Sequence, residues 1–110
     1  YAPQIPATLP TYDEVIGQNG ITADNYNEHM LELIVPGRLN VLTIHAEVEG
    51  IVCAEMFDSF LAAAKTRNIR FVPMSELLPD DLSTLPIDSV TTAPLPGREG
   101  WVCWQASLVS

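Results

Sequence analysis

Hydrophobic and polar positions divide the chain into stretches of different period. From Thr22 to Val35, Tyr26, Met30, Leu33 and Ile34 recur at helical spacing, which predicts a helix with one apolar face that stops at Pro36-Gly37. A longer helix is predicted from Cys53 to Arg67, with Met56, Phe57, Phe60, Leu61 and Ala64 as its buried stripe. Lys65 and Arg67 fall in its last turn, where cations suit the helix dipole, and Asn68 is a plausible stop. Between these helices lies VLTIHAEVEG, residues 41–50, the best strand candidate of the chain. Read as a strand, it turns Leu42, Ile44, Ala46 and Val48 to one face and Thr43, His45, Glu47 and Glu49 to the other. Ile69–Val72 is a second short strand, cut by Pro73. Strand, helix, strand is a βαβ unit, so the two strands are expected to be parallel with a right-handed crossover.

The flanks are irregular. Residues 1–10 carry three prolines and read as an extended lead-in. Thr11 and Glu14 fit a capping box, opening a short helical turn that stops at Gly17. Ser75–Leu78 is expected to make one helical turn, and residues 79–97, with four prolines, to form a long irregular loop that wraps something else. Trp101–Gln105 is a terminal strand or a hook, with Trp101 and Trp104 read as packing anchors. The expectation is therefore an α/β fold with one clear βαβ unit and long irregular arms. A parallel sheet needs both faces covered, and so few strands leave apolar surface for a partner. The chain is thus expected to be a single incomplete domain over residues 1–110. It opens on Tyr-Ala-Pro rather than Met, as a piece of a longer protein would. Uncovered strand edges make self-association or strand exchange a further expectation.

Charge narrows the partners. Fourteen acidic and five basic residues give a formal charge of −9, which argues against nucleic acid and against a polybasic membrane patch. No apolar run has the length of a membrane helix. Cys53 and Cys103 belong to no metal-binding or CxxC spacing, and a buried reduced thiol is the default for each.

Candidate chemistry concentrates in the polar row. Reactive groups of parallel α/β barrels gather at the C-terminal ends of strands, where His45–Glu49 would lie. His45 can act as general acid or base because its unperturbed pKa is near neutral. Glu47 and Glu49 could orient it, bind a substrate cation or amine, or face water. The row alone is a poor metal site: alternate strand side chains stand about 7 Å apart, whereas zinc ligands converge on one ion at about 2 Å. No nucleophile elbow, P-loop or dinucleotide fingerprint appears, and GREG near the end reads as a turn. Near-neutral histidine chemistry competes here with two non-catalytic readings, an interaction module and a self-associating fragment.

QIPATLPTYDEVIG, LTIHAEVEG, FVPMSELL and GREGW, in this order, resemble the C-terminal part of the formamido-arabinose deformylases of the polysaccharide deacetylase (NodB-homology) superfamily. The resemblance implies a distorted (β/α) barrel that removes an N-formyl group from 4-formamido-arabinose carried on undecaprenyl phosphate. That step leads toward lipid A modification and polymyxin resistance. It implies a divalent metal, zinc or similar, held by residues of an N-terminal part that this chain does not contain, so none is expected on this chain alone. His45 matches the late histidine that acts as general acid in the superfamily. Thr43 stands where many members carry an aliphatic residue of the acyl pocket, and with Glu47 and Glu49 it is a candidate substrate contact. The lipid carrier implies peripheral work at the cytoplasmic face of the bacterial inner membrane. The isolated chain is expected to be inactive.

Overall fold

A computed structural model describes residues 2–96 and 98–108. It divides into two compact units, Ile5–Leu77 and the described residues of Tyr1–Gln4 with Leu78–Ser110.

The first unit is built on three helices, α1 (Tyr12–Val15), α2 (Tyr26–Leu33) and α3 (Ala54–Thr66). At the head of α1 the Glu14 carboxylate accepts the Thr11 backbone N–H at 2.9 Å and lies 2.8 Å from its hydroxyl, as the capping-box spacing predicts. Gly17 closes this turn at a φ of 78°, a left-handed conformation that strains any residue with a Cβ. The stop of α3 is also the predicted one. Asn68 takes a φ of 60°, the Ile69 N–H donates to the Ala64 carbonyl at 3.0 Å, and the Asn68 N–H donates to Lys65 at 3.1 Å. This pair of bonds is the Schellman closure, which satisfies two carbonyls that a helix end leaves open.

Helices α2 and α3 pack their apolar stripes together. Val15, Tyr26, Met30, Leu31, Phe60 and Ala64 are buried, and Leu33, Ile34, Met56, Phe57 and Leu61 pack partly buried around them. Leu31 joins the core although the predicted stripe omitted it. Two polar ties cross the seam: the Asn27 amide donates to the Met56 carbonyl at 2.9 Å, and Arg67 reaches both Glu28 carboxylate oxygens at 2.9 Å. The ion pair is exposed and contributes little; the apolar contact dominates.

The predicted βαβ unit is not formed. Residues 39–45 and 69–73 lack regular structure, and no parallel pair exists among the described residues. A strand requires a neighbour to take its N–H and C=O groups. At Val41 those groups go instead to the lead-in: the Val41 N–H donates to the Thr8 hydroxyl at 2.7 Å, and its carbonyl accepts the Thr8 and Leu9 N–H groups at 3.0 Å. The barrel expected for the whole protein is likewise not seen in this chain; its elements are mixed helix and strand.

The second unit is a hairpin. Strands β1 (Val90–Ala93) and β2 (Val102–Gln105) pair antiparallel, with Thr91 opposite Trp104 and Thr92 opposite Cys103. The loop expected over 79–97 thus gives way to a turn at Leu82–Thr84 and to β1. The β-branched run Val90-Thr91-Thr92 suits a pleated strand once β2 is available to pair with it. Of the two open readings for Trp101–Gln105, the strand is the one observed. The Trp104 indole N–H donates to the Ala93 carbonyl at 3.2 Å. Both cysteines are free; Cys53 is half-buried and Cys103 exposed, so neither is the fully buried thiol expected.

Candidate functional site

The segment carrying His45 is aimed by the turn before it. Helix α2 ends at Leu33, short of the predicted stop at Pro36-Gly37, and the Asn40 side chain clasps the turn that follows, accepting the Val35 N–H at 3.0 Å and donating to the Val35 and Arg38 carbonyls at 2.9 Å. Thr8 then fixes Val41, and the chain runs on to His45.

At His45 the backbone turns. Its carbonyl accepts the Val48 and Glu49 N–H groups, both at 3.0 Å, and its own N–H donates to Glu49 Oε2 at 2.9 Å. A single π-helical turn, Val48–Val52, follows and leads directly into α3. Its wide bonds run from the Val52 N–H to the Glu47 carbonyl at 3.2 Å and from the Cys53 N–H to the Val48 carbonyl at 2.7 Å. Such turns occur disproportionately at functional sites because they re-aim one side chain inside an otherwise regular path.

The predicted row of four polar side chains on one strand face is therefore replaced. Thr43, His45 and Glu47 are exposed, whereas Glu49 is buried, with 8% of its surface accessible. The period changes from two to helical after His45, so Glu49 falls under the turn instead of beside the histidine. The strand period concealed this, although the spacing of four between His45 and Glu49 was there to be read as a helical one.

Glu49 lies with Tyr12, Tyr26, Asn27 and Cys53 in the lining of a cavity of about 10 Å³, between α1, α2 and the π turn. The Tyr12 and Tyr26 rings meet edge to face at 5.3 Å. Burial, reinforced by the Glu49 and Cys53 charges, pushes the Tyr26 phenol up to about 12. Tyr12 is raised as well, first by its hydrogen bond with Cys53 and then by desolvation. Asn27 Oδ1 is buried here without a hydrogen-bond partner. None of these residues was read as a neighbour of Glu49 in the sequence, because they come from three segments that only folding brings together. His29, on α2, is half-buried and takes no part.

No family model matches the chain. Curated proteins do resemble it, among them two named probable 4-deoxy-4-formamido-L-arabinose-phosphoundecaprenol deformylase ArnD. That of Shewanella sediminis (strain HAW-EB3) is 51% identical over 109 residues, covering 99% of this chain and 36% of the relative. That of Wigglesworthia glossinidia brevipalpis is 37% identical over 107 residues, covering 96% of this chain and 37% of the relative. This chain is homologous to part of the ArnD proteins. The resemblance carried by LTIHAEVEG and its companion blocks is thereby borne out. The chain spans little more than a third of the length of these relatives, and most of each ArnD protein lies outside the match.

A second, larger hollow adjoins the same segment. A groove of about 390 Å³ runs between residues 38–44 and 69–72, floored by Phe57, Phe60 and Leu61 of α3. Ile44 and Phe71 stand 49% and 56% exposed beside it, large apolar side chains that a finished core would cover. Among the described residues no three His, Cys, Asp or Glu side chains converge to hold a metal ion. The divalent metal implied by the resemblance thus finds no ligand set here. Among the same residues no helix is long and apolar enough to cross a membrane.

Proposed function

We propose that this chain is the C-terminal part of a deformylase that removes the N-formyl group from 4-formamido-arabinose linked to undecaprenyl phosphate, with His45 as its general acid. The observation that carries the reading is the 51% identity to an ArnD protein along 99% of the chain. The geometry supports it: His45 is exposed and presented from a turn whose backbone is bonded on both sides. Thr43 and Glu47, also exposed, flank it in sequence and are the residues of this chain proposed to meet the sugar.

In the reaction, water adds to the formyl carbon and the carbon–nitrogen bond breaks. The bonding pair stays on nitrogen, which leaves as the amine. The His45 imidazolium gives that nitrogen its proton, since an amide nitrogen cannot depart as an anion near neutral pH. Formate carries away the oxygen of the water, and the proton released from the water restores the imidazolium. The metal proposed for the whole enzyme, zinc or similar, belongs to its other segments, and no step assigned to this chain passes through it.

The rest of the same polypeptide is the proposed partner. Two observations support this: the ArnD relatives are far longer than the match, and the groove beside Ile44 and Phe71 leaves apolar surface uncovered. The substrate's lipid carrier supports peripheral placement at the cytoplasmic face of the inner membrane.

The test is His45→Ala in the full-length protein. Turnover is expected to fall by about 10²- to 10⁴-fold, the usual worth of a general acid, with metal content unchanged. Turnover equal to wild type would remove the acid role. The isolated 110-residue chain is expected to hydrolyse nothing.

A further inference from the structure

We propose that Glu49 is a positioning residue for His45: its carboxylate holds the main chain from which the imidazole is presented, and does not itself meet substrate. This rests on the reading of His45 as general acid.

Three observations converge. The Glu49 side chain is buried, in contrast to Glu47 two residues earlier, which is exposed. Its Oε2 accepts the His45 N–H at 2.9 Å, and its own N–H donates back to the His45 carbonyl at 3.0 Å. The two residues thus clasp each other through one side chain and three backbone groups, closing the turn on itself. Finally, Glu49 lines one small cavity together with Tyr12, Tyr26, Met30 and Cys53, from α1, α2 and the residue that caps α3.

A buried carboxylate without a donor is costly, so its retention here depends on the His45 N–H that it accepts. The bond to His45 is charge-assisted and therefore among the stronger kinds. It couples residue 45 to the packed core of the first unit, while the imidazole stays in the open. Proton donation requires the donor within hydrogen-bond reach of the leaving nitrogen, and an error of about 1 Å can cost about 100-fold in rate. On the N-terminal side of the turn the clasp is the nearest backbone anchor: among the described residues, 42–44 make no backbone hydrogen bond, and only the Leu42 side chain packs against the core there.

The test uses the full-length protein with Glu49→Ala, Glu49→Gln and Glu49→Asp beside His45→Ala. Rates are normalised to folded protein, with kcat and KM separated and the pH profile recorded. Glu49→Ala is expected to lower kcat by about 10- to 100-fold with KM little changed. Glu49→Gln keeps an oxygen that accepts the His45 N–H and is expected to restore most of kcat. Hydrogen exchange at the His45 amide should follow: slow in wild type and in Glu49→Gln, fast in Glu49→Ala. If the alanine variant does not fold, Glu49→Asp serves, because it keeps the charge but is one methylene too short for the bond. It should lose both protection and rate.

Wild-type kcat in Glu49→Ala or Glu49→Asp overturns the proposal, as does a glutamine variant as slow as the alanine one. A purely structural role would lower the folded fraction while leaving kcat per folded molecule and the His45 exchange rate unmoved. Wild-type turnover in His45→Ala overturns the acid reading itself, a result separate from any obtained at position 49.

Discussion

Ile5–Leu77 buries Met30, Phe60 and Ala64 to 4% exposure or less, whereas no described residue of the hairpin unit is buried. The first region is held by side chains that interdigitate between α2 and α3. The second is held mainly by the ladder between β1 and β2 and by the Trp104 indole bond to Ala93. A two-stranded ribbon has no second layer against which to bury a face, and it is marginal alone. The difference teaches where substitution should be felt: through lost volume in the helices, and through cross-strand pairs in the hairpin.

The largest effect on stability is expected at Phe60. Phe60→Ala should cost about 3–5 kcal/mol, because it opens a cavity under both helices. Urea unfolding followed by helical circular dichroism would check this. A cost below about 1 kcal/mol would mean that the α2–α3 seam is not the centre of the unit.

The alkaline limb of stability comes next. The Tyr26 phenol is held at about 12 against its usual value of 10, mainly by burial and then by Glu49, so the folded state binds that proton more tightly than the unfolded chain does. This contribution is complete below pH 10 and is lost as pH rises from 10 to 12. Tyr26→Phe should flatten that decline, read as melting temperature against pH. A decline of the same steepness in the variant would assign it to other groups.

The smallest effect is expected in the hairpin. Trp104→Ala should cost no more than about 1 kcal/mol, the scale of one cross-strand pair, and should speed amide exchange across β1 and β2. A cost matching that of Phe60→Ala would erase the contrast between the two regions.

Legibility in the sequence followed the same division. The helices, most of their buried stripe, the cap at Thr11 and the stop at Asn68 could be read directly. Each is fixed by residues within one or two turns of one another, so local spacing carries the information. VLTIHAEVEG was different. Its alternation is a good strand signal, yet a strand is a relation between two segments, and among the described residues no segment pairs with it. Val41 turned to Thr8, and the residues from His45 onward took the helical path into α3. β1 was missed for the converse reason. Four prolines and several small polar residues in 79–97 concealed Val90–Ala93, which became a strand because β2 was there to pair with it.

For the candidate site, the sequence by itself determined which side chain is proposed to react, and the kinship. A histidine ahead of two glutamates, in a chain 51% identical to an ArnD protein along 99% of its length, is a matter of residue order. Only the tertiary structure decided which glutamate faces outward. Glu47 and Glu49 are two positions apart and chemically alike, and strand periodicity put them on one side. The turn at His45 changed the period, left Glu47 exposed and folded Glu49 inward onto the His45 N–H. The physical reason is the environment: a carboxylate is stable inside a protein only where donors await it, and where they lie is set by how distant segments pack.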